Sequence, residues 1–576
     1  MAHPSPAHTP ILVTLWRREF GNYSRAIFGR DLIAGLTVAA VALPLALAFG
    51  VASGANAAAG LVTAIIAGFV IGALSGAPYQ ISGPTGAMSA VLIVVVQEHG
   101  LHGLWLAALL AGAIVLALGL FRLGRVINFI PAPVITGFTS GIALVIAIGQ
   151  IDNLLGVKTP SSASSAHKLL GYFTGSLPPI NGWALLSALG VVAIMVVLPR
   201  FLWGRALPTA LIGVACSTAL AWGFGWPVGT IGAIPVTLLL PDRYLPAPGD
   251  LALLGELLGP AVAIAALGSI ESLLAGVVAG RMIGQKLEVN QELIAQGIGN
   301  LLLPFCGGVP ATAAIARMSV GVKAGGVTRM VGFVHAAALL GSAVFLGRVI
   351  AHIPLATLAG VLLVTAFRMN EWHTIRLYLA RRLREPTLVL LATMAATVAL
   401  DLTQAIIVGV ALSLLLFLKQ VSRLDITPTA VDWPRLRATG ATVPSEVAGM
   451  QVVYITGSLY FGATGQLATE LEALGQSPAL ILSMRGVPLV DASSLHAIEH
   501  AWREQTRHGG LLLICGLQSQ VRQMFERAGL VEAIGADKFF WSADQAIGHA
   551  CHLLHNPHAI AQHATAPQDR LVPTKA

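Results

Sequence analysis

Ser82-Gly83-Pro84-Thr85-Gly86-Ala87-Met88 and Gly307-Gly308-Val309-Pro310-Ala311-Thr312-Ala313-Ala314 each place glycine, proline and a hydroxyl residue just before a short apolar run. Proline in the first turn beside serine or threonine is a helix-start signal. Either stretch alone reads equally well as an ordinary loop between two spans. Their placement relative to each other is what distinguishes them. Working outward, apolar runs fall at roughly 31–54, 57–76, 84–99, 102–121, 131–151, 183–199, 206–224, 255–280, 291–304, 311–322, 327–347, 354–367, 385–400 and 402–418. Most approach the roughly 20 residues that a helix needs to cross a bilayer. Three are short: 84–99, 291–304 and 311–322.

The two quoted stretches open the third and tenth of these fourteen runs, an offset of seven. Seven is odd, so the two halves of the chain run in opposite orientation. Short, Gly/Pro-interrupted segments at matching places in inverted halves point to a transporter binding site. Composition supports lipid as the main solvent. The chain has 576 residues, 56% hydrophobic and only 10% charged, against about a quarter charged in soluble proteins.

The net charge of +8 sits mostly in loops between apolar runs, with no basic and aromatic stripe, so nucleic acid is not an expected partner. The cysteines, Cys216, Cys306, Cys515 and Cys551, form no CxxC pair, so neither disulfide nor metal site is expected. No nucleophile–base pair or nucleotide loop appears, so the chain is not read as an enzyme, and no cofactor is expected beyond a coupling ion, H⁺ or Na⁺. Residues 1–10 are polar with no cleavable signal pattern, which leaves the first apolar run as the anchor.

Basic residues orient the chain. With the N-terminus inside, the inner ends carry Arg17, Arg18, Arg25, Arg30, Arg122, Arg125, Arg200, Arg205, Arg281, Lys286, Lys323, Arg329, the cluster Arg368 to Arg384, Lys419 and Arg423. The outer side carries only Lys158, Lys168, Arg243 and Arg348. This predicts an even count of spans, both termini in the cytoplasm, and a multi-pass inner (plasma) membrane protein. The expected divisions are an N-terminal arm (1–30), a transmembrane domain (31–420), a linker (421–448), a soluble α/β domain (449–553) and a disordered tail (554–576). In the soluble domain, strands are expected at Met450–Thr456, Ala479–Met484 and Leu511–Cys515, and helices at Ser494–His508 and Ser519–Ala528.

Each half-helix N-terminus carries about +0.5 charge and unpaired N–H groups. Two such ends facing each other near the midplane favour an anion. Ser82, Gly83, Thr85, Gly86, Ala87, Ala311 and Thr312 are the candidate lining, with glycine admitting the ligand to the backbone and Thr85 and Thr312 offering hydroxyls. Glu271 lies mid-run after Gly268-Ser269-Ile270. A carboxylate there costs several kcal/mol unless paired or protonated, so it is the candidate site for the coupling ion. Protonation, or a bound sodium, would remove its repulsion of an anion. Arg317 lies about 7–9 Å along a helix from Thr312 and either reaches the anion or snorkels away. Asp31 and Asp401 read as helix caps and His335 as a packed core residue.

Asp31-Leu-Ile-Ala-Gly-Leu-Thr37, Ile81 to Met88, Gly308-Val-Pro-Ala-Thr-Ala-Ala-Ile-Ala-Arg317, Val490-Asp-Ala-Ser-Ser-Leu495, Gly516-Leu-Gln-Ser-Gln-Val521 and Ala528-Gly-Leu530 together resemble the SulP family of anion transporters, which includes the motor protein prestin. The resemblance spans about 28–552. It implies fourteen segments as a 7+7 inverted repeat of the uracil-permease-like type, a core moving against a gate, a homodimer and a cytoplasmic STAS domain with a protein partner. It places Thr85, Gly86 and Ala87 on the third lining helix, Glu271 on the eighth and Ala311 and Thr312 on the tenth, and it matches Arg317 to an arginine near the anion in the motor branch. Leu43-Pro44-Leu45 departs from the Ile-Pro-Gln of sulfate-type members and is more similar to the bicarbonate and C4-dicarboxylate branches. Sodium-coupled bicarbonate carriers have Asp where this chain has Glu271, which favours proton coupling. Ala492 stands where related anti-sigma-factor antagonists carry their phosphorylated serine, so phosphorylation does not carry over. The expected function is secondary transport of a small anion (dicarboxylate, bicarbonate or sulfate) by alternating access. An anion channel or charge-moving element, and an anion sensor reporting through the STAS domain, are the alternatives.

Overall fold

The computed structural model describes residues 11–124, 131–157, 159, 168–169, 171–172, 179–201, 207–400, 402–438, 446–474 and 477–555. Residues 1–10, Arg125, Lys158, Arg205, Asp401 and the tail from 556 onward lie outside the described residues. The chain forms two compact units, Met1–Ser413 and Leu414–Ala576.

The first unit opens with α1 (Ile11–Phe20), α2 (Arg25–Ala52), α3 (Ala57–Leu74), β1 (Ser82–Gly83), α4 (Gly86–Leu120), α5 (Ala132–Gly149) and α6 (Ile151–Leu155). It continues through α7 (Gly182–Val197), α8 (Thr209–Gly223), α9 (Asp250–Ile283), α10 (Val289–Leu302), β2 (Thr312–Ala313) and α11 (Ile315–Lys323). It closes with α12 (Met330–Ile350), α13 (Leu355–Met369), α14 (Trp372–Ala380), α15 (Arg384–Ala399) and α16 (Leu402–Val421), the last running into the second unit. Every one of the fourteen apolar runs contains helix. Among the described residues, eight helices are long and apolar enough to cross a membrane.

Local chemistry sets where these helices begin. The side chains of Ser24 and Asn56 accept from Ile27 N at 3.3 Å and Ala59 N at 2.8 Å, capping α2 and α3. The α4 helix is broken at Gly100, whose φ of +67° suits glycine alone, and the break falls between the expected third and fourth runs. The α2 and α3 pair meets backbone to backbone. A Cβ on Gly60 would overlap the Ala46 carbonyl oxygen, so the approach requires glycine.

Three details differ from the sequence reading. The N-terminal arm contains α1, which is pinned to the helical core. The Glu19 carboxylate takes both Arg329 Nη2 at 2.6 Å and Nε at 2.9 Å, and Trp16 Nε1 donates to the Ala73 carbonyl at 3.0 Å. Asp31 holds the loop that leads into α12 rather than capping its own helix. It accepts from Val327 N at 2.7 Å, Thr328 N at 3.2 Å and the Thr328 hydroxyl at 2.6 Å. Helix α14 lies between the twelfth and thirteenth runs with no buried residue, and at 9 residues it is too short to register as an apolar run.

The second unit contains β3 (Asp425–Ala430), α17 (Trp433–Ala438), β4 (Gln451–Thr456), α18 (Thr464–Ala473), β5 (Ala479–Gly486) and α19 (Ala492–Arg507). It ends with β6 (Leu511–Cys515), α20 (Ser519–Arg527), α21 (Leu530–Ile534), β7 (Phe539–Phe540) and α22 (Ala543–His555). The sheet order is β3-β4-β5-β6-β7, with β3 antiparallel and the rest parallel. The expected strands and helices appear within two residues of their positions. The expected linker does not hold through 421–448, because β3 pairs along its whole length with β4. It is an exposed edge strand containing Pro428 and has no buried face, so it leaves no alternation to read. Asp491 caps α19 by accepting from Ser494 N at 2.9 Å.

Candidate functional site

The two quoted stretches meet. Ser82 pairs with Ala313 and Gly83 with Thr312 as antiparallel two-residue strands. Helices α4 and α11 begin just beyond these strands, at Gly86 and Ile315, and therefore leave the crossing in opposite directions, each with its first-turn N–H groups turned back towards it. The Thr85 hydroxyl accepts from Met88 N at 3.4 Å and caps α4. Helix α11 starts after Ala314 with no side-chain cap.

Glu271, on α9, sits between the two stretches. Its Oε2 accepts from the Thr85 hydroxyl at 2.8 Å and from the Thr312 hydroxyl at 2.7 Å. The two hydroxyl oxygens are 3.2 Å apart. Thr85 and Thr312 are buried, whereas Glu271 retains partial access. One carboxylate oxygen therefore occupies the place where both hydroxyls would hold an oxygen of a bound anion. The neighbouring Ser272 hydroxyl accepts from Ala313 N at 3.2 Å.

Arg317 resolves towards the crossing. Its guanidinium is buried and donates to the Pro84 carbonyl oxygen. The space a side chain would take at Gly83 is filled by that guanidinium, so a substitution there would displace Arg317. A Cβ on Gly86 would lie 2.8 Å from Ile146 Cδ1, 3.0 Å from Phe49 Cε1 and 3.2 Å from Met369 Sδ, so this glycine faces an apolar wall from α5, α2 and α13. Ala87 is fully buried in the first turn of α4. The Ser82 hydroxyl accepts from Gln296 Nε2 at 2.7 Å. Ala311 is not open to a ligand through its backbone. Its N–H donates to Asn300 Oδ1 at 2.7 Å, and its carbonyl accepts from Asn300 Nδ2 at 3.0 Å.

The sequence reading missed the support that holds this crossing. Glu292, Gln296 and Asn300 form one buried stripe along α10. Gln296 Nε2 also donates to Glu292 Oε1 at 2.8 Å, and Glu292 Oε2 accepts from Gly76 N at 3.0 Å. The spacing of four was the available signal, since three polar residues at i, i+4 and i+8 share one helix face.

A many-helix membrane unit with two opposed half-helices at a central crossing defines a polytopic transporter, here with an α/β domain at its C-terminal end. A family model described as the sulfate permease family matches residues 28–393, and one described as the STAS domain matches residues 443–546. The chain belongs to the sulfate permease family, whose members are transporters and not enzymes, and carries a STAS domain. It is 35% identical over 542 residues to the putative sulfate transporter YvdB of Bacillus subtilis, covering 92% of this chain and 99% of that protein. It is 30% identical over 565 residues to the bicarbonate transporter BicA of Picosynechococcus, covering 94% and 97%. Among solved structures, murine Slc26a9 in its inward-facing state matches with a TM-score of 0.82 at 20% identity over 96% of each chain, a likeness of fold. The transmembrane domain of a cyanobacterial BicA matches with a TM-score of 0.59 at 29% identity, covering 68% of this chain and 98% of that one.

Proposed function

We propose that this protein is a proton-coupled carrier of a small oxyanion, working by alternating access, with bicarbonate, sulfate and C4-dicarboxylate as the candidate substrates. The reading rests on one observation: Glu271 Oε2 takes both threonine hydroxyls at the crossing. With Glu271 ionised, the hydroxyls are committed to it and its charge repels an incoming anion. When Glu271 takes up a proton, the repulsion goes and its oxygen becomes a weaker acceptor. The Thr85 and Thr312 hydroxyls then turn to the substrate, beside the positive ends of α4 and α11 and the Arg317 guanidinium. Anion and proton are thus taken up and released together. The family's sulfate and bicarbonate carriers support an oxyanion of this size.

The same reading takes the protein to be a homodimer in the plasma membrane with both termini in the cytoplasm, as the distribution of basic residues favours. The STAS domain then lies in the cytoplasm, where a protein partner reaches it.

The test is uptake into proteoliposomes of radiolabelled bicarbonate, sulfate and fumarate, each with an inward proton gradient, an inward sodium gradient or neither. Wild type is expected to concentrate one of these anions under the proton gradient, and Glu271→Gln to lose that response. Sodium-driven uptake, or a Glu271→Gln variant that still follows the proton gradient, refutes proton coupling through Glu271. Flux that does not saturate would mark a channel instead.

A further inference from the structure

Helix α14 is not a span of its own. Asn370 and Glu371 alone join it to α13, and Arg381, Arg382 and Leu383 alone join it to α15. Helices α13 and α15 take up the twelfth and thirteenth apolar runs, so these short joints hold α14 at the membrane surface. Its start is fixed. The Thr136 hydroxyl of α5 donates to Glu371 Oε2 at 2.7 Å, and Trp372 Nε1 donates to the Phe367 carbonyl at 2.9 Å.

The rest of the helix buries nothing against protein. Trp372, Leu377, Leu379 and Leu383 leave apolar surface open. Arg376, Arg381, Arg382 and Arg384 are exposed beside them, and none of these four guanidinium groups has a hydrogen-bond or ion-pair partner among the described residues. The acids within 371–385 are Glu371, already held by Thr136, and Glu385. Open apolar side chains together with arginines suit a helix lying in the headgroup layer, where tryptophan is also favoured.

The turn out of α14 is strained. Arg382 N donates to the Leu379 carbonyl at 3.1 Å and Leu383 N to the Tyr378 carbonyl at 2.9 Å, the paired bonds of a Schellman turn. Such a turn puts one residue in the left-handed region, where glycine is the usual occupant. Here that residue is Arg382, at φ +53°. Among the described residues one other non-glycine residue has positive φ, and it too is an arginine: Arg122, at +58°, just past the end of α4 and next to the exposed Phe121. A cation favours a helix C-terminus, but Arg381 already supplies one to α14. Glycine at 382 would relieve the backbone. The chain keeps a guanidinium there instead, and no described residue uses it.

We propose that α14 and its turn bind the headgroups of anionic phospholipids. Arg376, Arg381, Arg382 and Arg384 take the phosphates, which a guanidinium holds through two parallel N–H···O bonds. Trp372 and the leucines sit at the boundary of the acyl chains. Glu371 ties this helix to α5, whose Ile146 faces Gly86 beside the crossing, so lipid held on α14 steadies the first unit. The surface goes beyond the carrier reading and needs no transported anion.

The experiment melts the full-length protein in a neutral detergent while phosphatidylglycerol or phosphatidylcholine with the same acyl chains is added. The melting temperature of wild type is expected to rise with phosphatidylglycerol and not with phosphatidylcholine, since a ligand of the folded state stabilises it. One arginine at a membrane surface is worth about a fivefold change in the lipid needed for half the effect. Arg382→Lys is expected to respond like wild type. Arg382→Gly is expected to melt higher than wild type without lipid, because its turn is relaxed, yet to need about fivefold more phosphatidylglycerol. Replacing all four arginines by glutamine is expected to raise that requirement on the order of a few hundredfold. Equal responses of wild type to the two lipids, a fourfold variant that follows phosphatidylglycerol as wild type does, or an Arg382→Gly variant with neither change overturns the proposal. Glycerol phosphate, which has the charge without the chains, is expected to shift nothing. A shift equal to that of the lipid would assign the arginines to a soluble anion and overturn the proposal.

Discussion

Asn300→Ala tests whether the polar stripe of α10 holds the β1–β2 crossing in place. The Asn300 side chain satisfies both backbone groups of Ala311 with bonds of 2.7 and 3.0 Å, and both residues are buried. Alanine leaves one N–H and one carbonyl unmet. At roughly 1–3 kcal/mol for each buried group, the loss is about 2–6 kcal/mol. A unit the size of Met1–Ser413 shifts its melting temperature by roughly 1–2 °C per kcal/mol, extending the trend for smaller domains. The variant is therefore expected to melt several degrees lower, followed by tryptophan fluorescence in detergent. Its uptake should fall too, because Ala311 sets the register of Thr312 against Gly83. Asn300→Asp keeps an acceptor for Ala311 N but loses the donor to the carbonyl, and should lie between. An alanine variant that melts within about 1 °C of wild type and transports normally refutes the clamp.

Three other perturbations follow from the geometry. Glu19→Gln leaves the buried Arg329 guanidinium without its charge partner and should destabilise the first unit by roughly 3 kcal/mol; a melting temperature equal to wild type would show that α1 contributes nothing to it. Gly60→Leu places a branched side chain against the Ala46 backbone and should abolish recovery of folded protein, measured as the monodisperse fraction after detergent extraction. Burial pushes the Cys515 and Cys551 thiols up from their ordinary range, which lowers the thiolate fraction at neutral pH and makes alkylation slow. In intact protein both should resist iodoacetamide at pH 7.5 and label only on denaturation, read by peptide mass spectrometry; rapid native labelling would contradict their burial.

Much of the candidate site was legible before folding was considered. Thr85, Thr312 and Glu271 stood out because a Gly/Pro helix start and a mid-run carboxylate are unusual in an apolar sequence, and the structure joins all three. Arg317 was visible, but its direction was open, because five residues along a helix fit either reach or escape. Asp31 was read as a helix cap, but it binds the loop residues Val327 and Thr328, about 300 positions away along the chain. Ala311 was taken as lining, and Asn300 in fact occupies its backbone. Edge strand β3 left no trace because exposure on both faces removes the period of two.

The sequence by itself determined the membrane class, the positions of the apolar runs, the division between the third and fourth of them, the two opposed helix starts and the main strands and helices of the soluble domain. All of these follow from composition, periodicity and short motifs, which act over a few residues. Only the tertiary structure decided that two hydroxyls 227 residues apart converge on one carboxylate oxygen. It also decided that Arg317 turns to Pro84, that Asn300 holds Ala311 and that His335 lies buried with its nitrogens unmet. The physical reason is that a buried polar group takes whichever partner packing brings within hydrogen-bond distance, and no local pattern records that choice.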